Sequence, residues 1–139
     1  MGYDELRKLY LARLRPVVAA VRLPMPKRPV FRFVWFERDR HRDPDNVRSG
    51  GTKLILDALV LGGVLVADTA AAVAGFEGDD YVYGPREAVD IQAWSSDDET
   101  PDQWGMSVPF RLPDLNELIA AARQDGILTE RTRQARRAR

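Results

Sequence analysis

Residues 30–61 read VFRFVWFERDRHRDPDNVRSGGTKLILDALVL, and two changes of pattern within them decide the fold. Val30 to Phe36 is a run of aromatic and β-branched side chains, the composition of a strand. From Gly51 to Leu61 the apolar residues Leu54, Ile55, Ala58, Leu59 and Leu61 recur at helical spacing. Asp45 or Asn46 is placed to cap that helix, and Gly62-Gly63 to stop it. Between strand and helix the charges alternate from Glu37 to Asp45, with the acids and His41 at odd positions and Arg38, Arg40 and Arg42 at even ones. In extended form this puts acids on one face and arginines on the other. Pro44 limits ladder pairing, so the run ends as a loop.

Upstream, Leu6, Tyr10, Leu11, Leu14, Val17, Val18 and Val21 predict an amphipathic helix over 3–21, which Pro16 ends or kinks. The segment LPMPKRP then links it to the strand. Downstream, Val64 to Val66 is a short apolar piece, and Val73–Glu77 and Val89–Trp94 predict two strands joined through Asp79 to Arg86, with the turn at Gly84-Pro85. Residues 95–109 are acidic and rich in breakers and read as a surface loop. Pro113 to Gln124 predicts a second capped helix. Beyond Thr129 come five arginines in nine residues, read as a mobile or conditionally ordered tail. The sum is an α/β (α+β) chain, a small mixed or antiparallel sheet packed with helices. Its four segments are 1–27, 28–94, 95–129 and 130–139.

The 139 residues suffice for one domain. The zero net charge conceals an uneven distribution: a balance of +7 over residues 1–42, −12 over 43–130 and +5 over the last nine. A basic arm, an acidic body and a basic tail suit a polyanionic partner held around an acidic centre. The chain has no cysteine and one histidine, which excludes thiolate chemistry, Fe–S clusters and zinc sites built on Cys or several His. The N-terminus lacks the apolar stretch of a secretory signal, and the longest apolar run, Ala58 to Ala67, is about half of a membrane span. A soluble, cytoplasmic protein with no membrane partner is expected.

Catalysis would therefore fall to carboxylates, lysine or hydroxyls. Asp43 and Asp45 stand two positions apart, a spacing that lets both approach one hard cation, and Asp68 follows the glycine stop where the chain can return toward them. Three carboxylates without His or Cys suit Mg²⁺, with Mn²⁺ as a substitute. Lys53 lies four residues before Asp57 and either contacts a phosphate or pairs with Asp57. The same residues also have plain structural uses, since Asp-Pro-Asp-Asn is a good turn and helix cap and Asp68 can cap a helix from Thr69.

The stretch RDPDNVRSGGTKLILDALVLGGVLVADTAAAVAGF, Arg42 to Phe76, resembles the core of the RusA-like crossover junction endodeoxyribonucleases, which are often phage or prophage encoded. The shared pattern is Asp-x-Asp-Asn, a lysine, Leu-Asp-Ala-Leu, a glycine, and an acid pair. The resemblance implies a Mg²⁺-dependent homodimeric endonuclease that resolves four-way (Holliday) junctions by paired nicks in DNA recombination and repair, with residues 28–94 as its core. By position, Asp43, Asp45 and Asp68 would be metal carboxylates and Lys53 the catalytic lysine, with Asn46 and Asp57 in support. Two departures stand out. Lys53 comes eight residues after Asp45, with Val47 to Thr52 read as a loop insertion, and Ala67 replaces the first acid of the later pair. Arg38, Arg40 and Arg42, with Arg131, Arg133, Arg136 and Arg137, would contact the phosphates of branched DNA. The alternatives are a RusA-like DNA-binding module without activity and a phage protein that binds another protein through its acidic loop.

Overall fold

The aromatic run forms β1 (Pro29–Glu37), paired on both sides within a four-stranded sheet. The computed structural model describes residues 1–96 and 104–137, with the backbone alone over 127–137. The other elements, in chain order, are α1 (Tyr3–Ala19), α2 (Pro44–Leu61), β2 (Gly75–Tyr83), β3 (Ala88–Ser95), β4 (Trp104–Val108) and α3 (Leu115–Arg137). The strand order is β2-β1-β3-β4. Only the β1–β2 pair is parallel, which makes the chain α+β with a mixed sheet. No helix among the described residues is long and apolar enough to cross a membrane.

Alternation along β1 buries Phe31, Phe33 and Trp35 and leaves Val30, Val34 and Phe36 half-buried on the other face. The buried set joins Leu14 and Val18 of α1 and Leu54, Ile55 and Leu59 of α2 in one core. Each such side chain contributes about 1.5–3 kcal/mol relative to an exposed one.

Helix α2 begins seven residues before the expected Gly51, and its cap is Asp43 rather than Asp45 or Asn46. The Asp43 carboxylate accepts the Asp45 N–H at 2.9 Å, and Pro44 takes the first helical position, where its missing N–H costs nothing. Val47 to Thr52 is therefore helix, not a loop insertion. Two glycines are poor helix formers, yet close packing requires them here. A Cβ on Gly50 would lie 2.6 Å from the Asp114 carbonyl carbon, and one on Gly51 would lie 2.6 Å from the Trp35 ring.

The alternating charges after β1 do not continue as a two-faced strand. The strand stops at Glu37, and Arg42 turns inward, which removes it from the residues expected to contact DNA phosphates. Its guanidinium donates to both Glu37 oxygens at 3.1 and 3.0 Å, to Asp114 at 3.3 Å and to the Leu112 carbonyl at 2.8 Å. Burial pushes the Glu37 carboxyl up from its ordinary value, with Arg42 opposing.

Other differences have local causes. Helix α1 runs through Pro16 for one further turn and stops at Ala19. Strand β2 extends to Tyr83, because Trp35, Phe36 and Glu37 of β1 supply partners for Tyr81, Val82 and Tyr83. The loop expected over 95–109 contains β4, whose Trp104, Met106 and Val108 alternate inward; residues 97–103 lie outside the described residues. Helix α3 starts at Leu115, where the Asp114 carboxylate accepts the Glu117 N–H at 2.8 Å, and continues past Gln124 to Arg137. The arginine tail is thus helical through Arg137, in keeping with the helix propensity of Ala, Arg, Gln and Glu.

Gly50→Ala should lower stability by about 1–3 kcal/mol in urea unfolding, because backbone atoms of the α3 entry must move to admit the methyl group. Arg42→Ala should cost about 3–5 kcal/mol in the same assay, since Glu37 and Asp114 would keep their burial and lose their counter-ion.

Candidate functional site

Along most of β2 alternate residues face the helices, but the pairing with β1 slips: Phe31 pairs with Phe76 and Phe33 with Asp79. The extra residue is accommodated at Gly78, whose φ of 64° is open to glycine at no cost. Three positions apart on a regular strand, Phe76 and Asp79 would point to opposite faces. The bulge brings both to the wall of one groove, a cavity of 370 Å³ between β2 and α2. Helix α2 contributes Arg48, Thr52 and Lys53 to it, and the chain after α2 contributes Asp68.

The charges in the groove are paired. The Lys53 ammonium donates to Asp68 at 2.7 Å and lies 3.1 Å from Asp57, which also meets Arg7 of α1 at 3.4 Å. The hydrogen bond from Lys53 holds the Asp68 carboxyl below its ordinary value, and the bonds to Asp68 and then Asp57 raise Lys53. At the other end, Arg48 lies 3.5 Å from Asp79 and 3.9 Å from Asp45. The second Asp79 oxygen accepts the Trp35 indole N–H at 3.0 Å. Tyr81 donates its hydroxyl to the Pro44 carbonyl at 2.9 Å, tying β2 to the start of α2, and burial followed by Asp79 pushes its pKa up to about 12.

The sequence-predicted residues are thus divided. Lys53, Asp57 and Asp68 come together. Asp43 serves as a helix cap, the Asp45 side chain is 88 % exposed beside Arg48, and Asn46 is half-buried in the first turn of α2. Because α2 is continuous, Asp45 and Lys53 are separated by about 12 Å along the helix axis. Arg38 and Arg40 are exposed in the β1–α2 loop, with Arg40 5.3 Å from the centre of the Tyr83 ring. Arg131, Arg133, Arg136 and Arg137 lie in the last turns of α3. Sequence reasoning missed Arg48, Thr52, Phe76 and Asp79. A glycine within a strand pattern is the mark of a bulge, and Gly78 was that signal.

Oxygen donors are the right chemistry for Mg²⁺ or Mn²⁺. Among the described residues no three His, Cys, Asp or Glu side chains are grouped to hold a metal, and the cation nearest Asp68 is Lys53.

The signs of the shifts fix when the Lys53–Asp68 link contributes. The lowered Asp68 favours the fold above its ordinary pKa and loses that contribution as pH falls through its depressed value. The raised Lys53 favours the fold below its ordinary pKa and loses that contribution as pH rises through its elevated value. The link should span neutral pH. In a carboxyl-carbon NMR titration Asp68 should protonate below the usual aspartate range in the wild type and return to it in Lys53→Met. No family model matches the chain, and neither the curated proteins nor the solved structures contain a significant match to it.

Proposed function

We propose that the protein is a structure-selective endonuclease of the RusA-like class that acts as a homodimer on four-way DNA junctions, with Mg²⁺ as the cofactor. One observation carries the reading: a lysine held by two carboxylates and 59 % exposed on the wall of a groove. These are the lysine, the Leu-Asp-Ala-Leu acid and the later acid on which the resemblance to that class rests. Asp57 and Asp68 keep Lys53 charged and fix its position, so its charge is available as negative charge builds on a phosphate under attack. Arg38 and Arg40, with the arginines of α3, bind backbone phosphates and leave recognition to junction shape. A junction is close to two-fold symmetric, so a dimer presents one groove to each of two opposed strands.

The Asp43 carboxylate is engaged in capping α2 and that of Asp68 by Lys53, which favours a second reading, a module that binds branched DNA without cutting it. One experiment separates the two. A labelled four-way junction and a matched linear duplex are incubated with the protein in Mg²⁺ or in EDTA. The endonuclease reading expects paired nicks in the junction that need Mg²⁺ and fall at least about a hundredfold in Asp45→Asn or Lys53→Ala, the size of effect removal of one electrostatic group has elsewhere. Tight junction binding with no nicks in Mg²⁺ or Mn²⁺ establishes the binding module, and absence of DNA binding removes both.

A further inference from the structure

The groove contains more than a cleavage site requires. We propose that it receives one unpaired nucleobase of a DNA strand, stacked on Phe76. This inference rests on the reading above that the chain engages branched DNA, and it names the part of the substrate that enters the groove.

Three independent features support it. Phe76 stacks on Phe31 and Phe33 with ring centroids 6.0 and 6.1 Å away, yet remains 51 % exposed on the groove wall. An aromatic ring fixed from behind and open in front is a platform for a base. Thr52 lines the same groove, and its buried Oγ1 has no hydrogen-bond partner, so a ligand edge that the side chain turned to meet would supply one. The four charged side chains of the wall also cancel, Arg48 against Asp79 and Lys53 against Asp68. Paired in this way, the wall offers both donors and acceptors beside the phosphate contact proposed for Lys53. It matches a neutral flat ring bearing amino and carbonyl groups on its edge.

Size and geometry agree. The cavity of 370 Å³ falls within the range of small-molecule sites, about 300–1,000 Å³, and takes a single nucleoside but not a base pair within a duplex. The bulge at Gly78 places Phe76 and Asp79 on the same wall of the groove. A base must leave the helix to reach such a groove, and that costs least at a branch point or in single-stranded DNA.

The test uses the full chain in EDTA, with 2-aminopurine as the unpaired nucleotide at the branch of a synthetic junction. Wild-type protein should change the 2-aminopurine emission on binding, and should bind this junction tighter than linear duplex. Phe76→Leu keeps an apolar side chain and removes the ring. It should abolish the emission change and weaken junction binding about tenfold, the effect of losing one stacked base, with duplex binding unchanged. Thr52→Val leaves the sheet untouched and should weaken the same binding, which keeps the test open if Phe76→Leu folds poorly by circular dichroism. Junction binding with no emission change, or with no loss in either variant, overturns the nucleobase assignment and leaves the branched-DNA reading standing. Competition by free deoxyadenosine monophosphate as strong as that by a single strand overturns it in favour of a mononucleotide site. No binding to any DNA overturns both.

Discussion

The Arg42 guanidinium is the point at which three parts of the chain are held to one another. It bonds Glu37 at the end of β1, the Leu112 carbonyl in the segment after β4, and Asp114 at the start of α3. Burying one cation and two carboxylates is expensive, and the cost is offset only because nearly every donor of the guanidinium has an acceptor in place. The residue after Arg42 is Asp43, the cap of α2, so the same anchor fixes where α2 begins. Asp114 has two tasks: one oxygen faces Arg42 and the other caps α3 at the Glu117 N–H. Replacement of Arg42 by a lysine would keep the charge and lose the fork that reaches these acceptors together.

With the start of α2 fixed, its distance from the sheet follows from Gly50 and Gly51. These residues let the helix lie against the α3 entry on one side and the Trp35 ring on the other. The close approach brings Arg48 and Lys53 within ion-pair distance of acids outside α2, Asp79 on β2 and Asp68 in the chain that follows the helix. The bulge at Gly78 completes the arrangement from the opposite wall. Three glycines, each unfavourable to the element that carries it, thus shape the groove.

Which parts were legible in the sequence follows from the range of the interactions involved. The strand at 30–36, the apolar stripe of α2 and its glycine stop, the helix from Tyr3 and the existence of strands near 75 and 90 are patterns of neighbours, and periodicity exposes them. The start of α2 was misplaced because two glycines and a proline look like a loop until their packing partners, Trp35 and the α3 entry, are known. Strand β4 lay hidden because Trp104, Met106 and Val108 alternate over only five residues beside an acidic stretch. Lys53 and Asp68 were legible through the motif, whereas the pairing of Asp79 with Arg48 depends on a register shift between strands that are distant in sequence.

The uneven charge along the sequence acquires a different meaning once the chain is folded. Arg7, Arg32 and Arg42 belong to the basic arm, yet each meets an acid of the central segment: Asp57, Asp80 and Asp114 respectively. Part of the asymmetry is therefore neutralised within the fold. Among the candidate phosphate contacts, Arg38 and Arg40 remain exposed in the loop that leads to α2, and Arg131, Arg133, Arg136 and Arg137 belong to the far end of α3. On the proposed function these arginines hold the phosphate backbone, while the groove supplies Lys53 to a phosphate and the exposed Phe76 ring to a base.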